Sequence, residues 1–214
     1  MLKNVRITFS KTGRAKFISH LDLNRAMIRA LRRAAIPVWY TEGFNRHPYV
    51  TFAAPLSLGY EGLAESMDLR LERDMPLDEL VSRLNTAMPE GLTVTGAAEA
   101  VMKPGDLQAA RYRLTFSGGA DALRRLLEQD SLPVEKRTKK GGTKTVDLKP
   151  ALREIRITAE GDTAQLEVTL PCGSTDNLNP GLLLTLLQQQ TGDETLRMSV
   201  IRLKLYGADG QIFA

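Results

Sequence analysis

Along the chain the apolar side chains switch between a period of two and a period of three to four, and this alternation outlines the elements. Arg6-Ile7-Thr8-Phe9-Ser10 alternates as a half-buried strand should. Ser19 with Asp22 three residues on then makes a start of the capping-box kind, and Leu23, Met27, Ala30, Leu31 and Ala34 line one helical face up to Pro37. Residues 50–58 and 66–71 alternate like paired strands around Gly59-Tyr60-Glu61-Gly62. Pro76 opens a second helix, on which Leu77, Leu80, Val81, Leu84 and Met88 recur until Pro89-Glu90-Gly91 stops them. Residues 92–98 supply a last strand, giving the order β-α-β-β-α-β.

The same order returns downstream. Arg113-Leu114-Thr115-Phe116-Ser117 repeats the first strand at an offset of 107 in a chain of 214 residues. A helix from Asp121 carries Leu123, Leu126 and Leu127, a strand pair spans 153–159 and 165–170 across Gly161-Asp162, Pro180 opens a leucine-rich helix ending at Gly192, and 196–206 closes the set. Residues 134–138 and 143–148 flank Lys139-Lys140-Gly141-Gly142 as an inserted hairpin, with Asp147-Leu148-Lys149-Pro150 as its anchoring turn. The fold expected is α+β: two tandem ferredoxin-like (βαββαβ) halves related by a pseudo-two-fold, the second with an inserted basic β-hairpin near 134–148. The halves run over 1–101 and 110–214, with 102–109 as the linker.

Composition narrows the function. With 43% hydrophobic and 25% charged residues and no run of 18 apolar positions, the chain reads as soluble. Its first residues lack the apolar core of an export signal, so a cytoplasmic address and no membrane contact are expected. Cys172 is the only cysteine, which excludes disulfide frameworks, cysteine-rich zinc sites and a three-cysteine iron-sulfur cluster on this chain. The net charge is only +4, but it is unevenly spread. Between Lys3 and Arg33 nine cations are opposed by Asp22 alone, and a second knot surrounds Lys139 and Lys140. Such clusters point to an anionic partner.

Three segments carry candidate chemistry. Arg25, Arg29 and Arg32 stand at i, i+4 and i+7 opposite the apolar stripe of the first helix, with Arg33 beside them; without acids along it, the ridge reads equally as a solvated face and as a row for which phosphate is the obvious counter-charge. Lys11-Thr12-Gly13-Arg14-Ala15-Lys16 resembles a phosphate-contacting loop but lacks P-loop spacing, so nucleotide hydrolysis is not supported. The helix start at Ser19-His20-Leu21 adds free backbone N–H groups, and His20 itself reads as a capping or packing residue. Gly43-Phe44-Asn45-Arg46-His47-Pro48-Tyr49 mixes aromatic, amide, cation and imidazole in one loop, which suits a base stacked beside a phosphate; the plain alternative is a turn whose Phe44 and Tyr49 plug the core. Two histidines without ligand spacing leave no metal site, and no cofactor is expected. A metal-free RNA cleavage site would use His47 as general acid or base, with Arg46 or Lys11 stabilising the phosphorane.

The residues Phe9-Ser10-Lys11-Thr12-Gly13-Arg14, Phe17-Ile18-Ser19-His20-Leu21-Asp22-Leu23, Gly43-Phe44-Asn45-x-His47-Pro48 and Phe52-Ala53 resemble the radical SAM-linked family of unknown function designated DUF2344. Members of that family occur as free proteins or as C-terminal extensions of cobalamin-binding radical SAM proteins, commonly encoded near ribonuclease E/G and ribosomal-protein genes. The resemblance therefore implies an RNA-related setting and a cobalamin-dependent radical SAM protein as partner. Arg46 stands where the family motif usually has a second proline, Tyr49 where a basic residue is common, and Asn179 where arginine is frequent. The tandem layout is also similar to the RAMP superfamily, which includes CRISPR repeat-processing endoribonucleases.

The function expected first is a non-catalytic RNA-binding module that presents tRNA or rRNA to its partner, with no DNA and no membrane involved. Lys11, Arg14, Lys16, Arg25, Arg29, Arg32, Lys139 and Lys140 would position phosphates, and Phe44, Asn45, Arg46 and His47 would contact an exposed base or a backbone turn. The alternatives are a metal-independent, RAMP-like endoribonuclease built on His47, Arg46 and Lys11, and a protein-only scaffold.

Overall fold

The computed structural model describes residues 2–137 and 141–213. It is a mixed α+β protein, with four α-helices and mostly antiparallel strands among the described residues, divided into two compact units. The first comprises residues 1–108 and 202–214, and the second residues 109–201.

In the first unit the elements are β1 (Lys3–Lys11), α1 (His20–Arg33), β2 (Val50–Phe52), β3 (Glu61–Leu71), α2 (Leu77–Ala87) and β4 (Leu92–Glu99). β1 lies between β3 and β4, antiparallel to both, and β2 pairs with β3. Val5, Ile7 and Phe9 of β1 and Met67, Leu69 and Leu71 of β3 are fully buried together with Met27 and Leu31 of α1 and Leu80 and Leu84 of α2. Burial of such side chains stabilises by about 1.5–3 kcal/mol each, which is why the apolar stripes of both helices turn to the sheet. α1 starts where the capping pattern places it: Ser19 Oγ accepts the Asp22 amide at 3.1 Å.

The strand expected over 50–58 is shorter, ending at Phe52, because Pro55 lacks an amide for the ladder and the chain turns at Ser57–Tyr60. β3 instead begins at Glu61, five residues before the alternating run. Its partner strand β1 supplies hydrogen bonds as far as Gly62, so tertiary pairing extends the strand past its apolar pattern.

The second unit contains β5 (Ala109–Phe116), α3 (Ala120–Glu128), β6 (Pro133–Arg137), β7 (Thr143–Asp147), β8 (Arg153–Glu160), β9 (Thr163–Pro171), α4 (Gly181–Thr191) and the start of β10 (Met198–Tyr206). Its strand order is β10-β5-β9-β8. The register repeats that of the first unit: Arg6 faces Asp68, Thr8 faces Ser66 and Phe9 faces Glu65, while Arg113 faces Glu167, Thr115 faces Gln165 and Phe116 faces Ala164. β6 and β7 form the inserted hairpin as a separate two-stranded sheet. Asp147 anchors it by accepting the amides of Leu132 at 2.7 Å and Lys149 at 3.0 Å. Among the described residues no helix is long and apolar enough to cross a membrane.

Candidate nucleic-acid interface

The edge of the first unit's sheet is interrupted by a projecting loop. Val38 bridges Leu71 and the Trp39 amide donates to Arg70 O at 2.7 Å; Val50 then resumes opposite Leu69. Residues 40–49 leave the edge between these points. The neck of the excursion is closed by the Tyr40–Pro48 bridge, by Tyr49 N to Trp39 O at 2.9 Å and by Thr41 N to His47 O at 2.9 Å. Arg70 anchors it from β3, with its guanidinium 5.1 Å from the Trp39 ring centre and 4.7 Å from that of Tyr49. Gly43 has φ +112°, a conformation that side chains other than hydrogen rarely adopt.

Inside the loop His47 is held by its neighbours. Its Nδ1 lies 3.0 Å from Asn45 O and 3.2 Å from Thr41 Oγ1. The His47 amide donates to Thr41 Oγ1 at 3.2 Å. The alternative of a core plug does not describe this loop: Phe44 stands fully exposed at the tip, and Tyr49 is partly buried against Trp39 and Arg70 at the neck, outside the core cluster. Asn45, Arg46 and His47 are exposed beside it.

The arginine ridge of α1 faces outward as its spacing predicts. Its members are not equivalent. Arg25 pairs with Asp22 at 3.2 Å, and Arg33 donates to Ala87 O at the end of α2. Arg29 and Arg32 have no hydrogen-bond or ion-pair partner among the described residues. The Asp22 carboxyl is held below its usual range first by the Ser19 hydroxyl and then by Arg25 and Arg29.

The segment after β1 forms a 3-10 turn over Gly13–Phe17. It is pinned by Thr12 N to Gly91 O at 2.9 Å, and a Cβ on Gly91, at φ +82°, would meet Thr12 O at 2.6 Å. Arg14 is exposed there, and Lys16 pairs with Glu61 at 3.1 Å. Phe17, which the sequence reading did not single out, is 67% exposed.

Lys11 is placed differently from the other expected phosphate ligands. It ends β1 with only 1% of its surface exposed, its ammonium donating to Lys16 O at 3.2 Å. Burial pulls its pKa down, the nearby Glu65 carboxylate pulls it back up, and Arg202 lowers it further. Glu65 is itself buried against Arg202, whose Nε donates to Glu65 Oε1 at 2.9 Å and whose Nη2 donates to Ala54 O at 2.9 Å. His20 stands edge-on to Phe52 at 5.0 Å, its pKa lowered by burial and then by Lys11. Asn24 Oδ1 on α1 and Ser66 Oγ on β3 are buried without a hydrogen-bond partner among the described residues.

The sequence held one signal for this corner. Lys11 continues the parity of Val5, Ile7 and Phe9, and Glu65 that of Met67, Leu69 and Leu71, so both fall on core-facing positions. Arg202, 137 residues from Glu65, had no such signal. Lys139 and Lys140 lie outside the described residues. Thus the structure brings Phe44, Asn45, Arg46 and His47 into one loop and Arg25, Arg29 and Arg32 onto one helix face, and it turns Lys11 inward. Among the described residues no cluster of histidine, cysteine and carboxylates could hold a metal ion.

No curated protein matches the sequence. A solved structure described as an unknown protein from Galdieria sulphuraria is similar over 94% of this chain and 99% of its own at 12% identity, with a TM-score of 0.27, a likeness that carries no argument about fold or function. The family described as "Uncharacterized protein conserved in bacteria (DUF2344)" matches residues 4–180, which include the projecting loop, the arginine ridge and the buried Lys11–Glu65 corner. The chain therefore belongs to the DUF2344 family.

Proposed function

We propose that the chain is a non-catalytic RNA-binding module that presents a tRNA or an rRNA to a modifying enzyme, a cobalamin-dependent radical SAM protein. The observation that carries this reading is the projecting loop: a neck closed by the Tyr40–Pro48 bridge and braced by Arg70 against Trp39 and Tyr49 holds out a fully exposed Phe44 with an exposed amide, guanidinium and imidazole beside it. Packing gains nothing from that tip, whereas a base with its phosphate offers a ring face and a charge to match it. Arg14, Arg29 and Arg32 add exposed cations that make no ion pair among the described residues, and these would set register on the backbone.

The fold reading that accompanies this function is finer than the architecture above. The shared register of β1–β3 and β5–β9, and the strand order last, first, third, second in each unit, support two tandem ferredoxin-like halves related by a pseudo-two-fold. The endoribonuclease alternative would rest on His47 and Arg46, both exposed in the loop, and not on Lys11, whose ammonium turns to Lys16 O and away from solvent.

The test is binding of total tRNA by the full chain at about 50 mM and about 200 mM salt, since phosphate contacts release counterions and affinity must fall steeply between the two. Arg29→Glu with Arg32→Glu is expected to weaken binding by tenfold or more at low salt and to reduce the log–log salt slope by about 2. Absence of binding at low salt, or a double variant that binds like the parent, rejects the reading. RNA recovered intact after incubation in EDTA is the accompanying expectation.

A further inference from the structure

We infer that the RNA taken by the first unit is unpaired, and that two separate aromatic platforms hold it, each stacking one base: Phe44 at the tip of the loop that leaves the Leu69–Leu71 end of β3, and Phe17 in the turn tied beside its Glu61 end. The inference rests on the RNA reading above and adds to it the class of RNA and a second site. Of the aromatic residues around the projecting loop, Trp39, Tyr40, Tyr49 and Phe52 are all partly buried in contacts of the first unit, and Phe44 alone is turned out. Phe17 is the other outward ring, with 67% of its surface exposed.

Both rings are presented by backbone that is fixed in place. Phe44 follows Gly43 in a loop closed at its neck, and Phe17 closes a turn tied down at both sides, by Thr12 N to Gly91 O and by Gly59 N to Lys16 O, each at 2.9 Å. Each ring also has cations close in sequence. Arg46 follows Phe44 by two residues, and the exposed Arg14 precedes Phe17 by three, while the Lys16 ammonium, paired with Glu61, lies 5.4 Å from the Phe17 ring centre. A ring beside a cation is the pairing that takes a base and its phosphate together.

The body of a duplex cannot use these rings. Its internal bases are stacked on each other and show only their edges, so away from a helix end a ring meets a base face only where the nucleotide is unpaired. Single strands, loops and bulges present that face. Leu21 and Leu58, which flank Phe17 in the chain and across the Gly59–Lys16 hydrogen bond, are also exposed and would lie under a ribose or base edge.

The experiment measures fluorescence anisotropy of the full chain with a labelled oligouridylate 12-mer and with a blunt 12-base-pair RNA duplex at low salt. The single strand is expected to bind at least tenfold more tightly. Phe44→Leu and Phe17→Leu, which keep apolar bulk but remove the ring, should each weaken the single strand by about 5- to 150-fold and leave the duplex within about twofold. Phe44→Trp and Phe17→Trp should restore or exceed the parent affinity. Both positions are exposed, and unchanged melting temperatures would show that the fold is kept. A duplex that binds as well as the single strand, or leucine variants that bind like the parent, overturns the inference and leaves the RNA reading in place; the latter result is also what a protein-docking role for the two rings would give. Failure of both RNAs to bind overturns the two together.

Discussion

The two units carry an ion pair at matching strand positions and treat it in opposite ways. In the first, Arg6 of β1 holds Asp68 of β3 through two hydrogen bonds at 2.6 and 2.8 Å, donates to Met102 O, and lies under the Phe213 ring at 3.8 Å. Hardly any of the arginine meets solvent. In the second, Arg113 holds Glu167 at 2.9 Å on a face that stays partly open, and Arg111 and Glu154 share the cluster. A covered pair has given up its hydration and depends on its partner, whereas an open pair trades with water at little cost. Strand register places both pairs, and what lies above them decides their energetic weight.

The contrast extends to a pair on the opposite, core-facing side of the same strands. Glu65 faces Phe9, with Lys11 and Arg202 near it, where the second unit has Ala164 facing Phe116 and Gly118 in the position of Lys11. A sheet of this register is therefore built without buried charge at that corner, and the first unit carries its Lys11–Glu65–Arg202 group at a desolvation cost.

The largest effect that can break this comparison is expected at Asp68. Asp68→Ala leaves the Arg6 guanidinium buried without its carboxylate and should destabilise by about 3–5 kcal/mol in urea unfolding. Glu167→Ala should cost less than about 1 kcal/mol. Similar losses at both sites would show that the covering by Phe213 and Met102 is irrelevant.

Next comes the pH dependence of the buried corner. The pKa of Lys11 is lowered in the fold from 10.5, so the unfolded chain binds more protons in the window just below that value. Stability should rise with pH through that window, and Lys11→Met should flatten the rise. Glu167 works with the opposite charge: its carboxyl is held low first by Arg113, so it stabilises above its unfolded pKa of 4.5 and loses that contribution as pH falls. Parallel melting curves for parent and Lys11→Met on the alkaline side would contradict the corner's charge state.

The smallest effect sharpens how the units begin their first helices. α1 is capped by its own Ser19, whereas the start of α3 is capped by Asp162 from the β8–β9 turn, which accepts Gly119 N at 3.0 Å and Ala120 N at 3.3 Å. Ser19→Ala and Asp162→Ala should each cost about 0.5–2 kcal/mol. The local cap should change only α1 amide exchange, while the Asp162 variant should also loosen the β8–β9 turn.

Local rules settle much of this molecule within the sequence itself. The α1 boundaries follow from Ser19, Asp22 and the spacing of Leu23, Met27 and Leu31, because a helix must both cap its amides and bury one stripe. The repeat of Arg6–Ser10 in Arg113–Ser117 carries the matching register, since a shift of one residue would turn every apolar side chain to the wrong face. Other features depend on partners far along the chain. Phe44 could equally plug the core or stand outside it, until Trp39, Tyr49 and Arg70 fill the loop's base. Lys11 reads as a surface cation, until Glu65 and Arg202 enclose it. The cover over Arg6 comes from Phe213, at the other end of the chain. Period and capping act within a few residues, where the sequence speaks directly, but the burial of a charge or the exposure of a ring is fixed by what packs over it, and only the tertiary structure brings those residues together.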